Sequence, residues 1–239
     1  MIITKRKFFL SHARIILDDA QLEKCFREKN HHYITGLSYH KFNFGPGISI
    51  KSKKTMLISL RQSIEQIFEG FNANTRNEVR RATEEKELLI TCDDRSYDAI
   101  YDMYMRFEKE QGRVPHDRSI FLGSKVFSAY YKGELISAII CYDAKPILRS
   151  RANFSKRMES ASPEKRRIIS RATRRLIYEI CLYGKEHDYE YFDQGSVNLT
   201  DPRKKFIGEF KSSFGGELVD EYSYEYRDWF VRVAKIMGL

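Results

Sequence analysis

FKSSFGGELV, residues 210–219, decides how the rest of this chain is read. Only 13 of the 239 residues are glycine, yet Gly215 and Gly216 stand together between a run led by Phe210 and Lys211 and the strand-like Glu217-Leu218-Val219. A glycine pair lets the backbone bend sharply or pass close to another group, which a side chain would prevent. The stretch reads as a helix end, a tight bend and a strand start, with Lys211 one helical turn ahead of the bend. It is either a plain turn beside an exposed lysine or part of a working site, and the surrounding sequence has to choose.

Upstream, residues 189–193 form a short apolar strand running into Gln194-Gly195-Ser196, followed by a helix over 202–214. Asp193 is expected at that strand's end, the usual rim of a cleft in open sheets. The longest helix opens at Ser162-Pro163, serine as N-cap and proline at the first helical position, and ends near Gly184. Ile168, Ala172, Leu176 and Ile180 give it an inward stripe, with Arg167, Arg171 and Arg174 clustered elsewhere on its surface.

Before it, extended runs at 126–131, 134–142 and 147–154 are joined by Lys132-Gly133 and by Asp143-Ala144-Lys145-Pro146, which predicts an antiparallel meander. In its middle strand Leu135 and Ile139 alternate with Ile136, Ala138 and Ile140, so both faces should be covered. Earlier still, helices are expected at 18–29, from a cap at Asn72 or Asn74 to Ala82, and at 96–111, with strands at 55–60 and 88–92. Helices, meander, long helix, strand, helix and strand make a mixed α/β, α+β-like layer architecture.

The 42% apolar content is enough for a substantial core, and no run approaches the ~20 apolar residues of a membrane span. The opening MIITKRKFFLSHARIIL has no continuous apolar segment or small-residue cleavage site, so a cytoplasmic location is expected. Cys25, Cys92, Cys141 and Cys181 fall in no metal-ligand or disulfide spacing and read as buried reduced thiols; no metal is expected. A net charge of +9 points to anionic partners: nucleic acid, a phosphorylated small molecule, or peripheral contact with an anionic membrane.

The basic helix NTRNEVRRA (74–82), the long helix before YEYFDQGS (189–196) and FKSSFGGELV, in that order, resemble the FemAB-type branch of the GNAT (Gcn5-related N-acyltransferase) superfamily. The resemblance spans residues 55–222 and suggests a GNAT-like domain over 56–239, with 1–55 as an N-terminal extension packed on it. It implies a GNAT fold whose mixed sheet splays between the strands at 147–154 and 189–193, an acyl donor in the split and an acceptor amine approaching from the far side. It also implies an acyltransferase acting without a metal.

In the FemAB branch a lysine occupies the position of Lys211, four residues before Gly215, and Phe210 would line the substrate site beside it. An ammonium there stabilises an oxyanion or donates a proton to a leaving group. Asp193 could orient or deprotonate the attacking amine, and His116, in the break at 112–116, could serve as general base. Arg76, Arg80 and Arg113 are candidates for substrate phosphates, because the guanidinium fork binds phosphate oxygens bidentately.

Coenzyme A-dependent members carry a glycine loop ahead of the long helix, whereas no glycine occurs here from Glu134 through Tyr183. Ser160, Ser162, Lys165 and Arg166 are the remaining candidates for a donor phosphate. The expectation is an N-acyltransferase taking an acyl group from acyl-CoA to an amine of an amino sugar or cell-envelope precursor, with a nucleotide-linked or phosphorylated acceptor. The alternatives are aminoacyl-tRNA-dependent transfer to a peptidoglycan precursor, and a non-catalytic basic binding module.

Overall fold

The computed structural model describes residues 1–7, 9–198 and 205–231. Its strands are β1 (Ile2–Lys7), β2 (Leu10–Ile16), β3 (Tyr33–Ser38), β4 (Ile48–Ser59), β5 (Leu88–Cys92), β6 (Ser124–Tyr131), β7 (Glu134–Ala144), β8 (Ile147–Ser155), β9 (Tyr191–Val197) and β10 (Glu217–Arg227). Its helices are α1 (Asp19–Glu28), α2 (Ile64–Glu69), α3 (Ala73–Glu84), α4 (Tyr97–Glu110), α5 (Pro163–Glu186) and α6 (Lys205–Ser212). The strands form one mixed sheet in the order β1-β2-β3-β10-β4-β9-β8-β7-β6-β5. This is an α/β fold of the expected class.

Local chemistry explains the helix starts. Ser162 accepts from the Lys165 N–H at 3.3 Å with Pro163 following it, and Ser63 and Gln66 form a reciprocal capping box. Asn72 caps α3 by accepting from the Thr75 N–H at 2.8 Å. Near the end of α5, Gly184 serves packing: a Cβ there would lie 2.5 Å from Leu60 Cδ1.

The helices divide over the two faces. Ile168, Ala172, Leu176 and Ile180 of α5 pack with Ile136, Ile139, Cys141, Leu148 and Phe192, while Ile100, Met103 and Tyr104 of α4 pack with Leu135, Ala138, Ile140 and Phe154. β7 is thus covered on both sides, as its sequence requires. Leu135 and Ile136 lie on the faces opposite to those strict alternation assigns, because Ala129 pairs Ser137 and Tyr130 pairs Leu135, leaving Ile136 as an extra residue.

Three further differences from the sequence reading matter. β4 runs from Ile48 through residue 55 to Ser59 and inserts between β9 and β10, antiparallel to both, so residues 48–59 build the middle of the sheet. Asp193 ends no strand: β9 continues to Val197 along β4, because Gly195 at φ 79° absorbs a register shift. Cys92 is exposed on the edge strand β5, whereas Cys25, Cys141 and Cys181 are buried.

The glycine pair has a structural cause. Gly215 and Gly216 have φ of 68° and 95°; a Cβ on the first would lie 2.5 Å from Gly70 O, and on the second 2.4 Å from Leu57 O. The bend therefore clamps the end of α6 against β4 and the loop after α2, and the Asn72 N–H donates to Ser213 O at 2.9 Å.

Candidate active site

β8 and β9 are parallel neighbours over three rungs only: Ile147 with Tyr191, Leu148 with Phe192 and Arg149 with Asp193. Beyond that point β8 follows β7 and β9 follows β4, so the sheet parts. Both strands are irregular at the parting. In β8, Ile140 pairs Ala152 and Cys141 pairs Ser150, which makes Arg151 the residue of a bulge. In β9, Gly195 passes so close that a Cβ would stand 3.1 Å from Ser150 O and 3.5 Å from Lys211 Nζ.

A cleft of about 1020 Å³ opens there. It is lined from both faces of the sheet: Tyr104, Phe107 and Glu108 of α4 on one side, Ser170, Thr173 and Arg174 of α5 on the other. A ligand entering from one face can therefore meet one entering from the opposite face at the seam.

The base of the seam is a buried charge network. Arg149 reaches Asp193 through Nη1 and Glu221 through Nη2, the latter at 2.6 Å, and all three residues are at most 6% exposed. Tyr39 donates to Asp193 Oδ2 at 2.7 Å, Thr55 donates to Oδ1, and the Gly195 N–H donates to Oδ1 at 2.7 Å. The Ser196 hydroxyl donates to Glu221. Burial alone would depress the Arg149 pKa, but Asp193 and Glu221 raise it above its ordinary value. Burial and the Asp193 charge likewise push the Tyr39 hydroxyl up, so it stays a donor.

Lys211 lies directly over this network, and its Nζ donates to Ser196 O at 2.9 Å. Burial and the positive charge of Arg149, opposed by Asp193 and Glu221, lower its pKa to about 8. It is thus a cation at neutral pH that parts with its proton more readily than a surface lysine. Beside it, Gln194 is 3% exposed and donates to Lys211 O at 3.2 Å, while its Oε1 has no partner among the described residues. Phe210 lines the cleft under Arg174, whose guanidinium carbon is 5.3 Å from the ring centroid.

Among the described residues, nine lysines and arginines line the cleft against two carboxylates, Glu108 and Glu225, a lining that favours anions. Arg14, Arg151, Arg157 and Arg174 line it with no carboxylate within 4.0 Å among the described residues. Among those residues no three His, Cys, Asp or Glu side chains converge as a metal site, and no helix is long and apolar enough to cross a membrane.

The residues singled out from sequence fall into three groups. Lys211, Phe210, Arg113 and His116 line the same cleft, and Asp193 lies under it, its oxygens engaged by four donors. Arg113 is paired with Glu108 at 2.8 Å. The His116 pKa is lowered by burial and by Arg151 and Arg14. Arg76 and Arg80 do not line the cleft: Arg76 donates to Glu69 O at 2.9 Å and to Phe71 O, and Arg80 stacks over Phe68.

Ser160, Ser162, Lys165 and Arg166 also stay outside the cleft; Ser162 is occupied as the cap and Lys165 is held by Glu134 at 2.7 Å. Arg157 and Arg174 stand on that side instead. The structure adds Arg14, Tyr39, Thr55, Arg149, Arg151 and Glu221 to the candidates that sequence alone points to. The available signal was the pair of arginines within ILRSRANFS (147–155), two charges in a meander strand otherwise destined for burial.

No family model and no curated protein matches the chain. Solved structures do. FemX is similar over 100% of this chain and 86% of its own, with 12% identity and a TM-score of 0.67. The chain has the fold of FemX. L-PGS from Bacillus licheniformis (11% identity, 99% of this chain and 84% of that one, TM-score 0.55) shares it. So does the C-terminal domain of a putative lysylphosphatidylglycerol synthetase from Agrobacterium fabrum (13% identity, 99% and 84%, TM-score 0.54).

Proposed function

We propose that this chain is an aminoacyl-tRNA-dependent transferase that moves an aminoacyl group to an amine of a phosphate-bearing cell-envelope precursor, a peptidoglycan precursor in the form the FemAB resemblance implies. The observation that carries the reading is Lys211, a cation with lowered pKa, standing at the mouth of a seam open to both faces of the sheet. Support for tRNA over acyl-CoA comes from the fold shared with FemX and from the 156–162 loop, whose serines and Lys165 are turned to other tasks. The anion-favouring cleft suits either a tRNA end or a phosphorylated acceptor.

In this reading the acceptor nitrogen attacks the ester carbonyl of the aminoacyl-tRNA, forming a C–N bond as the C–O bond breaks. Lys211 stabilises the oxyanion of the tetrahedral intermediate and gives its proton to the departing 3′-oxygen. The proton lost by the attacking nitrogen restores the ammonium through water. Asp193 acts as a positioning residue: by holding Arg149 and the Gly195 N–H it fixes the turn carrying Ser196, and Ser196 O fixes the ammonium.

The test is label transfer from radiolabelled aminoacyl-tRNA to peptidoglycan precursors, with and without ribonuclease, beside thiol release from acetyl-CoA. Transfer abolished by ribonuclease and by Lys211→Met supports the reading. Thiol release with amino-sugar acceptors that ignores ribonuclease replaces it with the acyl-CoA reading. Tight RNA binding without any transfer replaces it with a binding module.

A further inference from the structure

Two guanidiniums share one aromatic ring on the α4 face of the cleft. Arg14 of β2 donates through Nη1 to Tyr142 OH at 3.1 Å, and Arg151, at the bulge of β8, lies 4.8 Å over the centre of the same ring. Arg151 spends Nη1 on Ser119 O at 3.2 Å and Ile120 O at 2.7 Å, which fixes its fork. The rest of that fork, like the rest of Arg14's, has no protein acceptor among the described residues.

The nearby carboxylates are already engaged by other cations. Asp117 is bound by Lys5 at 3.1 Å, Glu108 by Arg113 at 2.8 Å, and His116 adds a third nitrogen base to the wall. Burial and the Arg14 charge depress the Arg151 pKa, and burial with Arg14 and Lys5 takes His12 down to about 4. Two like charges held together without a counterion are unfavourable unless an anion joins them. A single carboxylate would leave one charge over, whereas a phosphate monoester or diphosphate matches both and accepts from planar forks.

We infer that Arg14 and Arg151, with His116 beside them, form the subsite that seats the acceptor's phosphate, on the sheet face opposite Arg157 and Arg174. The inference rests on the transferase reading for the word acceptor, though the anion site itself does not. It assigns the two cationic walls to different substrates: the α4 wall to the acceptor, the α5 wall to the donor.

Calorimetric titration of the full chain at low ionic strength with pyrophosphate, inorganic phosphate and acetate tests it. One saturable pyrophosphate site is expected, weakened about tenfold or more by Arg14→Met, less by Arg14→Lys, and under about threefold by Arg174→Met. Acetate should give no saturable binding. Because Arg151 also holds the 119–120 turn, Arg14 is the residue to vary, with melting curves confirming that each variant folds.

Undiminished binding in Arg14→Met, loss in Arg174→Met instead, or acetate binding as tight as pyrophosphate would each overturn the subsite. Lys211→Met should leave pyrophosphate binding intact. If the parent transfers no label from aminoacyl-tRNA while Arg14-dependent pyrophosphate binding holds, the transferase reading falls and the anion site stands; if Arg14→Met binds pyrophosphate as the parent does while label transfer holds, the anion site falls and the transferase reading stands.

Discussion

A titration of transfer against pH isolates what Lys211 contributes. With a pKa of about 8 and a role that needs the ammonium, the protonated fraction is roughly nine-tenths at pH 7 and one-tenth at pH 9. Single-turnover transfer should therefore fall tenfold per unit above about pH 8, and Lys211→Met should remove the limb together with roughly 10²–10³-fold of the rate. Neutralising a carboxylate that favours the ammonium shifts the balance: Glu221→Gln, which can still accept from Ser196, should move the limb to lower pH.

The same shift has a thermodynamic sign. Between about pH 8 and the ordinary lysine value of 10.5 the unfolded chain holds a proton that the folded chain has lost, so stability relative to Lys211→Met should rise with pH across that window. At roughly 1.36 kcal/mol per unit the full effect is about 3 kcal/mol, readable as a change of that size in the stability difference between parent and Lys211→Met across the window. A transfer profile flat to pH 10 in the parent, or an identical limb in Lys211→Met, would refute the assignment.

Other expectations follow from packing. Gly216→Ala places a Cβ against Leu57 O at positive φ and should lower stability by roughly 1–3 kcal/mol in urea titration. Asp193→Asn uncouples Arg149 from its buried partner and should destabilise by roughly 3–5 kcal/mol, with Tyr39→Phe costing less because only one donor is lost. Arg76→Ala removes donors from two carbonyls at the α2–α3 junction and should lower the melting midpoint, with a cost of about 1.5–3 kcal/mol.

Local signals were readable because they act over a few residues. The Ser162-Pro163 start, the Lys132-Gly133 turn and the inward stripe of α5 all appear where the side chains require them. The glycine bend was legible for the same reason. The bulges at Ile136 and Arg151 were not, since each depends on how a neighbouring strand pairs. Nor was the union of Arg14 with Arg151 or of Tyr39 and Thr55 with Asp193, which only the sheet order creates. Arg76 and Arg80 show the converse: a basic helix looks like a phosphate site until its guanidiniums are found on carbonyls and a ring.

The placement of β4 bears on how the protein is made. During synthesis this strand leaves the ribosome long before either of its neighbours, and both of its hydrogen-bonding edges wait for β9 and β10. Nascent chains halted between Ser59 and Tyr191 should be prone to bind chaperones and to self-associate. The candidate site closes only when β10 arrives, so partial products of translation carry no complete seam.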